Sequence, residues 1–106
     1  MSLAPRLLDE AKLELGQTVD YHDGNRRGLG VDFFTAYEDA LAYALERPHA
    51  GSPARYRGVT RVLRKYRIGK FHADLVVTVV GDELVVIALA DHYRKPGYWL
   101  GRLKAL

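Results

Sequence analysis

The segment Ala90-Asp91-His92-Tyr93-Arg94-Lys95-Pro96-Gly97-Tyr98-Trp99 crowds imidazole, phenol, guanidinium and ammonium groups into a few residues. It leaves an apolar run and turns sharply at Pro96-Gly97. Cleaving RNA through its own 2′-hydroxyl needs a base for that hydroxyl and an acid for the leaving 5′-oxygen. It also needs fixed positive charge for the phosphorane-like transition state. His92, Tyr98, Arg94 and Lys70 are residue types that fill those roles. The same residues have a plain structural reading: Tyr98 and Trp99 as core or rim aromatics, Arg94 and Lys95 as solvated turn charges. The residues alone leave both open.

Other chemistries find less support. There is no cysteine, which excludes disulfides, thiolate metal sites and cysteine nucleophiles. His22, His49, His72 and His92 show no metal-ligand spacing, so structural or surface roles fit them better, and no cofactor is expected. Gly28 and Gly30 lack a preceding strand and a third glycine, so they make no dinucleotide loop. Ser2 and Ser52, the only serines, lie in flexible contexts unsuited to a nucleophile.

The basic residues are concentrated. Arg55, Arg57, Arg61, Arg64, Lys65, Arg67 and Lys70 follow one another without an intervening acid, in a chain of net charge +3. The acids lie mostly between Leu8 and Glu46. Such asymmetry suits a polyanionic partner such as nucleic acid, a ribosome or an acidic peptide. It also suits an edge strand whose Lys and Arg discourage aggregation.

Around these groups, 106 residues with 48% hydrophobic and 27% charged composition make one globular domain, residues 1–106, with a modest core. The longest apolar runs, Leu75–Val80 and Leu84–Ala90, are too short to cross a bilayer. The first residues have neither a basic leader nor a long apolar core, so a cytoplasmic protein is expected. Arg6-Leu7-Leu8 after Pro5 is either a helix start or an edge strand. Asp9 is a candidate N-cap for a helix to about Tyr21, with Ala11, Leu15 and Val19 as its stripe. Asp23-Gly24-Asn25 breaks that helix. A second helix carries Val31, Phe34, Leu41 and Leu45 on its apolar face, with Tyr37 and Ala44 alongside and Ala40 and Tyr43 widening it. It stops at Arg47-Pro48. His49–Pro53 is a loop. Val59–Ile68, Leu75–Val80 and Leu84–Ala90 read as a three-strand meander, with Gly81-Asp82 as a hairpin loop. Trp99, Leu103 and Leu106 recur at helical spacing in a tail that folds back. The class is α+β, a helical hairpin covering strands.

In this order the motifs resemble RelE/ParE-type toxins of type II toxin–antitoxin (plasmid stabilisation) systems. Asp20-Tyr21-His22-Asp23, Arg27-Gly28-Leu29-Gly30, Phe34 through Leu45 and Arg47-Pro48 resemble the helical hairpin of that family. Gly81 through Val86 and His92 through Trp99 resemble its last hairpin and C-terminal motif. The resemblance implies that Leu3–Leu8 is a short N-terminal edge strand and that a small antiparallel sheet lies under the helices. A short C-terminal helix follows. It implies growth inhibition neutralised by an antitoxin with an acidic, partly disordered tail, for which Arg61, Arg64 and Arg67 are candidate contacts. The target is either DNA gyrase, for ParE-like members, or mRNA on the ribosome, for RelE-like members. For the nuclease branch, His92 and Tyr98 fit an imidazole six residues before a C-terminal tyrosine, and Arg67 and Lys70 stand for basic residues on the preceding strand. An arginine expected near the start of the next strand is absent; His72 and Asp74 are there instead. That departure tilts the reading toward a non-catalytic, ParE-like toxin, with RelE-like cleavage and an inactive, partner-binding relic as alternatives.

Overall fold

The computed structural model describes residues 2–106. A short strand β1 (Ala4–Leu7) leads into helices α1 (Asp9–Asn25) and α2 (Leu29–Glu46). Strands β2 (Ser52–Ala54), β3 (Leu63–Arg67), β4 (Ala73–Val80) and β5 (Glu83–Asp91) follow, and a 3-10 helix (Leu100–Ala105) ends the chain. The sheet has five strands in the order β1-β5-β4-β3-β2. β1 runs parallel to β5 and every other neighbour is antiparallel. The α+β class and the N-terminal edge strand are therefore as expected, but the sheet is mixed rather than antiparallel and has one more strand, β2, where a loop was expected.

Both edges carry a proline, Pro5 in β1 and Pro53 in β2. An edge strand tolerates the missing N–H, and it makes a poor template for further pairing. Val59–Ile68 yields less strand than its loose alternation suggests: pairing begins only at Leu63. Val62 is exposed, while its carbonyl accepts a hydrogen bond from Thr78 Oγ1 at 2.8 Å. Gly81 opens the β4–β5 turn with φ 61°, a conformation glycine adopts without strain.

α1 begins at Asp9 with Leu8 in the cap position and no side-chain cap, so Asp9 is not the N-cap. Asp9 and Glu10 instead place negative charge in the first turn, beside the positive end of the helix dipole. The helix runs past Tyr21 to Asn25, and Asp23 accepts the Gly28 N–H at 2.9 Å across the connector. Its stripe is as read: Ala11 is buried and Leu15 and Val19 pack against the core.

The buried face of α2 agrees with the expected one at Tyr37, Ala40 and Ala44, with Leu41 and Leu45 packed against the core, and differs toward the start of the helix. Gly30, Phe33, Tyr37, Ala40 and Ala44 are buried, whereas Val31 is 68% and Phe34 40% exposed. A stripe drawn through the largest apolar residues misses the packing constraint. A Cβ on Gly30 would lie 2.7 Å from the Val19 carbonyl oxygen, so α2 crosses α1 at a residue without a side chain. That close crossing turns the small residues inward.

The sheet is covered on both sides. Phe33, Tyr37 and Ala44 meet Tyr66, Leu75, Val77, Leu84, Val86 and Leu89 beneath the helices. On the opposite face Leu63, Val76, Val85, Ile87 and Ala88 gather around Trp99, with Leu103 and Leu106 from the tail. A bulge reconciles the two faces. Val76 pairs with Ala88 and Val77 with Val86, so Ile87 has no partner of its own. Ile87 and Ala88 therefore share the tail-covered face, and Leu89 returns to the helix side.

The corrected face of α2 is testable. Phe33→Ala should cost about 3–5 kcal/mol in urea unfolding, as for a large core truncation. Phe34→Ala should stay within about 1 kcal/mol, as for a largely exposed position. Equal losses would return the stripe to the Phe34 side.

Candidate functional site

β1 ends at Leu7, opposite Val86, but β5 continues to Asp91. Beyond that point the outer edge of β5 has no strand beside it, and side chains take its place. Arg102 Nη1 donates to the Ile87 carbonyl at 3.1 Å. Glu14 Oε1, from α1, accepts the Leu89 N–H at 3.1 Å. The Tyr98 hydroxyl lies 3.3 Å from the Leu89 carbonyl oxygen and donates to Glu14 Oε2 at 2.6 Å. Arg102 grips both Glu14 oxygens at 2.8 and 2.9 Å, the two-pronged geometry that suits guanidinium and carboxylate. Arg94 adds a longer contact to Glu14 at 3.2 Å and lays its guanidinium 3.8 Å from the Tyr98 ring centre.

Burial alone would raise the Glu14 carboxyl pKa. The Arg102 and Tyr98 side chains and the Leu89 N–H outweigh it and hold the group below its ordinary value, so it is ionised. Burial and the bond to Glu14 drive the Tyr98 phenol the other way, well above its ordinary range. A phenol whose proton is committed to a buried carboxylate is a poor general acid or base.

His92 and Tyr98 line one cavity of about 170 Å³ on the tail side of the sheet, with Lys65, Asp74 and Lys95. His92 Nε2 meets Asp74 Oδ2 at 2.8 Å, and the His92 N–H donates to the His72 carbonyl at 2.9 Å. Asp74 stands near the start of β4, where a catalytic arginine would be expected. A carboxylate there opposes the negative charge that a phosphoryl transition state develops.

The remaining candidates disperse. Arg67 pairs in register with Asp74 on β3 and β4, and its Nε donates to the Phe71 carbonyl at 3.1 Å. Arg94 is taken up by Tyr98 and Glu14. Lys70, in the β3–β4 turn, lines a different groove of about 570 Å³ with Tyr21, His22, Phe71 and Tyr93. Arg61, Arg64 and Arg67 do not form one patch either. Arg64 lies opposite Val77 and Arg67 opposite Asp74, on different faces of the sheet, and Arg61 precedes the strand. Among the described residues no group of three His, Cys, Asp or Glu side chains could hold a metal ion. Among the same residues no helix is long and apolar enough to cross a membrane.

Sequence reading missed Glu14 and Arg102. The signal in the helix was an acid between Ala11 and Leu15 on the apolar side. Its partners Tyr98 and Arg102 are far along the chain, and no local spacing links them.

No protein-family model matches the sequence, and no curated protein matches it. The fold does have a counterpart. A chain in the solved structure of the chromosomal ParDE TA system from P. aeruginosa superposes with a TM-score of 0.69. The match covers 84% of this chain and 95% of that one at 11% identity. The likeness is one of fold: the protein shares the α+β architecture of that chain.

Removing the buried Glu14 carboxylate leaves the partly buried Arg102 without its counter-charge and the Leu89 N–H without its acceptor. Glu14→Ala should therefore cost about 3–5 kcal/mol. The acid dependence has a definite sign. The folded carboxyl is held below its ordinary 4.5, so its contribution is present above that pH and lost as pH falls through the folded value. The stability gap between the parent and Glu14→Gln should then narrow on acidification below pH of about 4.5. A gap that stays constant in pH-dependent urea unfolding would show that the charge is not what matters.

Proposed function

We propose that this chain is the toxin of a bacterial type II toxin–antitoxin pair. In this reading it is a ParE-like protein that acts in the cytoplasm by binding DNA gyrase without chemistry, and an antitoxin with an acidic tail neutralises it. The fold supports the class, and one observation carries the choice of branch. Where cleavage would need a free acid and a fixed cation, Tyr98 is bonded to buried Glu14 and Asp74 occupies the head of β4. The purified chain should block supercoiling or accumulate gyrase–DNA cleavage complexes. Unimpaired supercoiling at large excess of the chain would refute the gyrase reading.

A ribosome-dependent endoribonuclease is the second reading, favoured by one feature: His92 shares its cavity with Lys65, Lys95 and Tyr98. His92→Ala separates the two. His92 is exposed, so the change spares the core. Growth inhibition should persist within about twofold if the protein only binds, whereas a lost general base typically costs about 10²–10⁴-fold in rate. Codon-phased cuts in mRNA from expressing cells that vanish with His92→Ala would establish the nuclease.

The antitoxin's acidic tail would be drawn first by exposed charges. Arg61 and Arg67 are exposed, whereas Arg64 is half-buried. Replacing Arg61 and Arg67 with glutamine should slow association markedly at low salt. The effect should fade at physiological salt, where charges separated by more than about 8 Å are screened. Surface plasmon resonance across a salt series with the antitoxin encoded beside this chain would measure it. Unchanged association at every salt would remove these arginines from steering.

A further inference from the structure

A hollow of about 370 Å³ lies past the end of α2, between His49 and the outer ends of β3 and β4. Arg61, Arg64 and His49 line one side of it, and Val62, Val77 and Val79 form its apolar lining. No acidic residue contributes to the wall. Val62 and Val79 are 65% and 40% exposed, so the apolar part is open to a ligand.

Arg64 carries an anomaly. Its Nη1 donates to the Gly51 carbonyl at 2.9 Å, while its Nε is shut off from solvent with no acceptor. Buried donors without partners are rare, and one on a charged guanidinium is especially unfavourable. The guanidinium is tethered at Nη1, which leaves the Nε–Nη2 edge, the edge whose two parallel N–H bonds match a carboxylate.

We propose that this hollow binds a carboxylate carried on an apolar stem, namely an acidic side chain of a peptide laid across the ends of β3 and β4. Arg64 supplies the paired donors through a small shift that opens Nε, Arg61 adds charge at the rim, and the valines take the hydrocarbon. The apolar lining disfavours a doubly charged phosphate, which would lose hydration there without enough donors to replace it. That the peptide belongs to an antitoxin rests on the toxin reading above; the chemistry of the hollow does not.

The Nε–Hε resonance of Arg64, assigned with Arg64→Lys, reports on the site by NMR. Adding 4-methylpentanoate should shift it saturably, with half-saturation about tenfold below that of acetate, because the longer stem buries more apolar surface. The uncharged 4-methylpentanamide should give no saturable shift. Arg61→Gln should raise the half-saturation about threefold, the scale of an exposed charge. No saturable shift, an equal response to the amide, or half-saturation by inorganic phosphate below that of the carboxylate would each overturn the proposal. Val79→Glu provides a check independent of the probes. A resident carboxylate at the rim should raise the melting temperature at low salt and abolish the probe-induced shift. A lower melting temperature with probe binding intact would count against the site. A chain that shows these shifts but does not inhibit growth would sink the toxin reading and leave the pocket standing.

Discussion

Where β1 stops at Leu7, the strand it accompanied goes on, and the carbonyls and amide beyond the bulge need partners. Glu14 supplies the acceptor for Leu89 N–H, and Arg102 supplies the donor for the Ile87 carbonyl. The two side chains satisfy each other as well. A carboxylate taken out of water is tolerable only when its lone pairs are used, and here an amide, a phenol and two guanidinium groups use them. The cluster ties α1, β5 and the C-terminal tail together. Two of these, α1 and the tail, lie on opposite faces of the sheet to which β5 belongs.

The tail is therefore positioned by charge as well as by packing. Trp99 fills the face of the sheet opposite the helices, and Tyr98, its neighbour in sequence, reaches Glu14 beside the edge of β5. The bulge at Ile87 makes this possible, because it lets one strand present apolar residues to the tail and then return Leu89 to the helix side. The consequence for chemistry is direct. A hydroxyl serving as a structural donor to an ionised carboxylate is held in place and held protonated, which suits architecture better than proton transfer. His92 has its own carboxylate in Asp74, which orients the imidazole but brings negative charge to the cavity.

The basic run from Arg55 to Lys70 behaves differently from a single patch. A strand alternates its side chains between faces, so successive basic residues of β3 point to opposite sides of the sheet. Charge that is continuous along the chain is divided in space. Arg61 and Arg64 join His49 around one hollow, while Arg67 belongs with Asp74. Long-range attraction survives this division because it depends on the sum of charges; short-range recognition depends on which few groups share a pocket.

Much of the fold was legible in local patterns. Period and turn residues place both helices, the Gly81-Asp82 hairpin and the two central strands, because backbone geometry and solvent exposure impose these signals locally. The nearness of His92 to Tyr98 also followed from their six-residue separation in the chain. Three things did not. Which face of α2 is buried depends on how closely α1 approaches at Gly30. The parallel docking of β1 depends on the outer edge of β5, which lies almost eighty positions later in the chain. The role of Tyr98 depends on Glu14, more than eighty positions earlier in the chain. Residue types and spacing determine which groups are available and how each segment can fold. Only the tertiary structure decides which distant groups meet and are desolvated together, and that meeting sets whether a tyrosine, an arginine or a carboxylate is free to react or is held as structure.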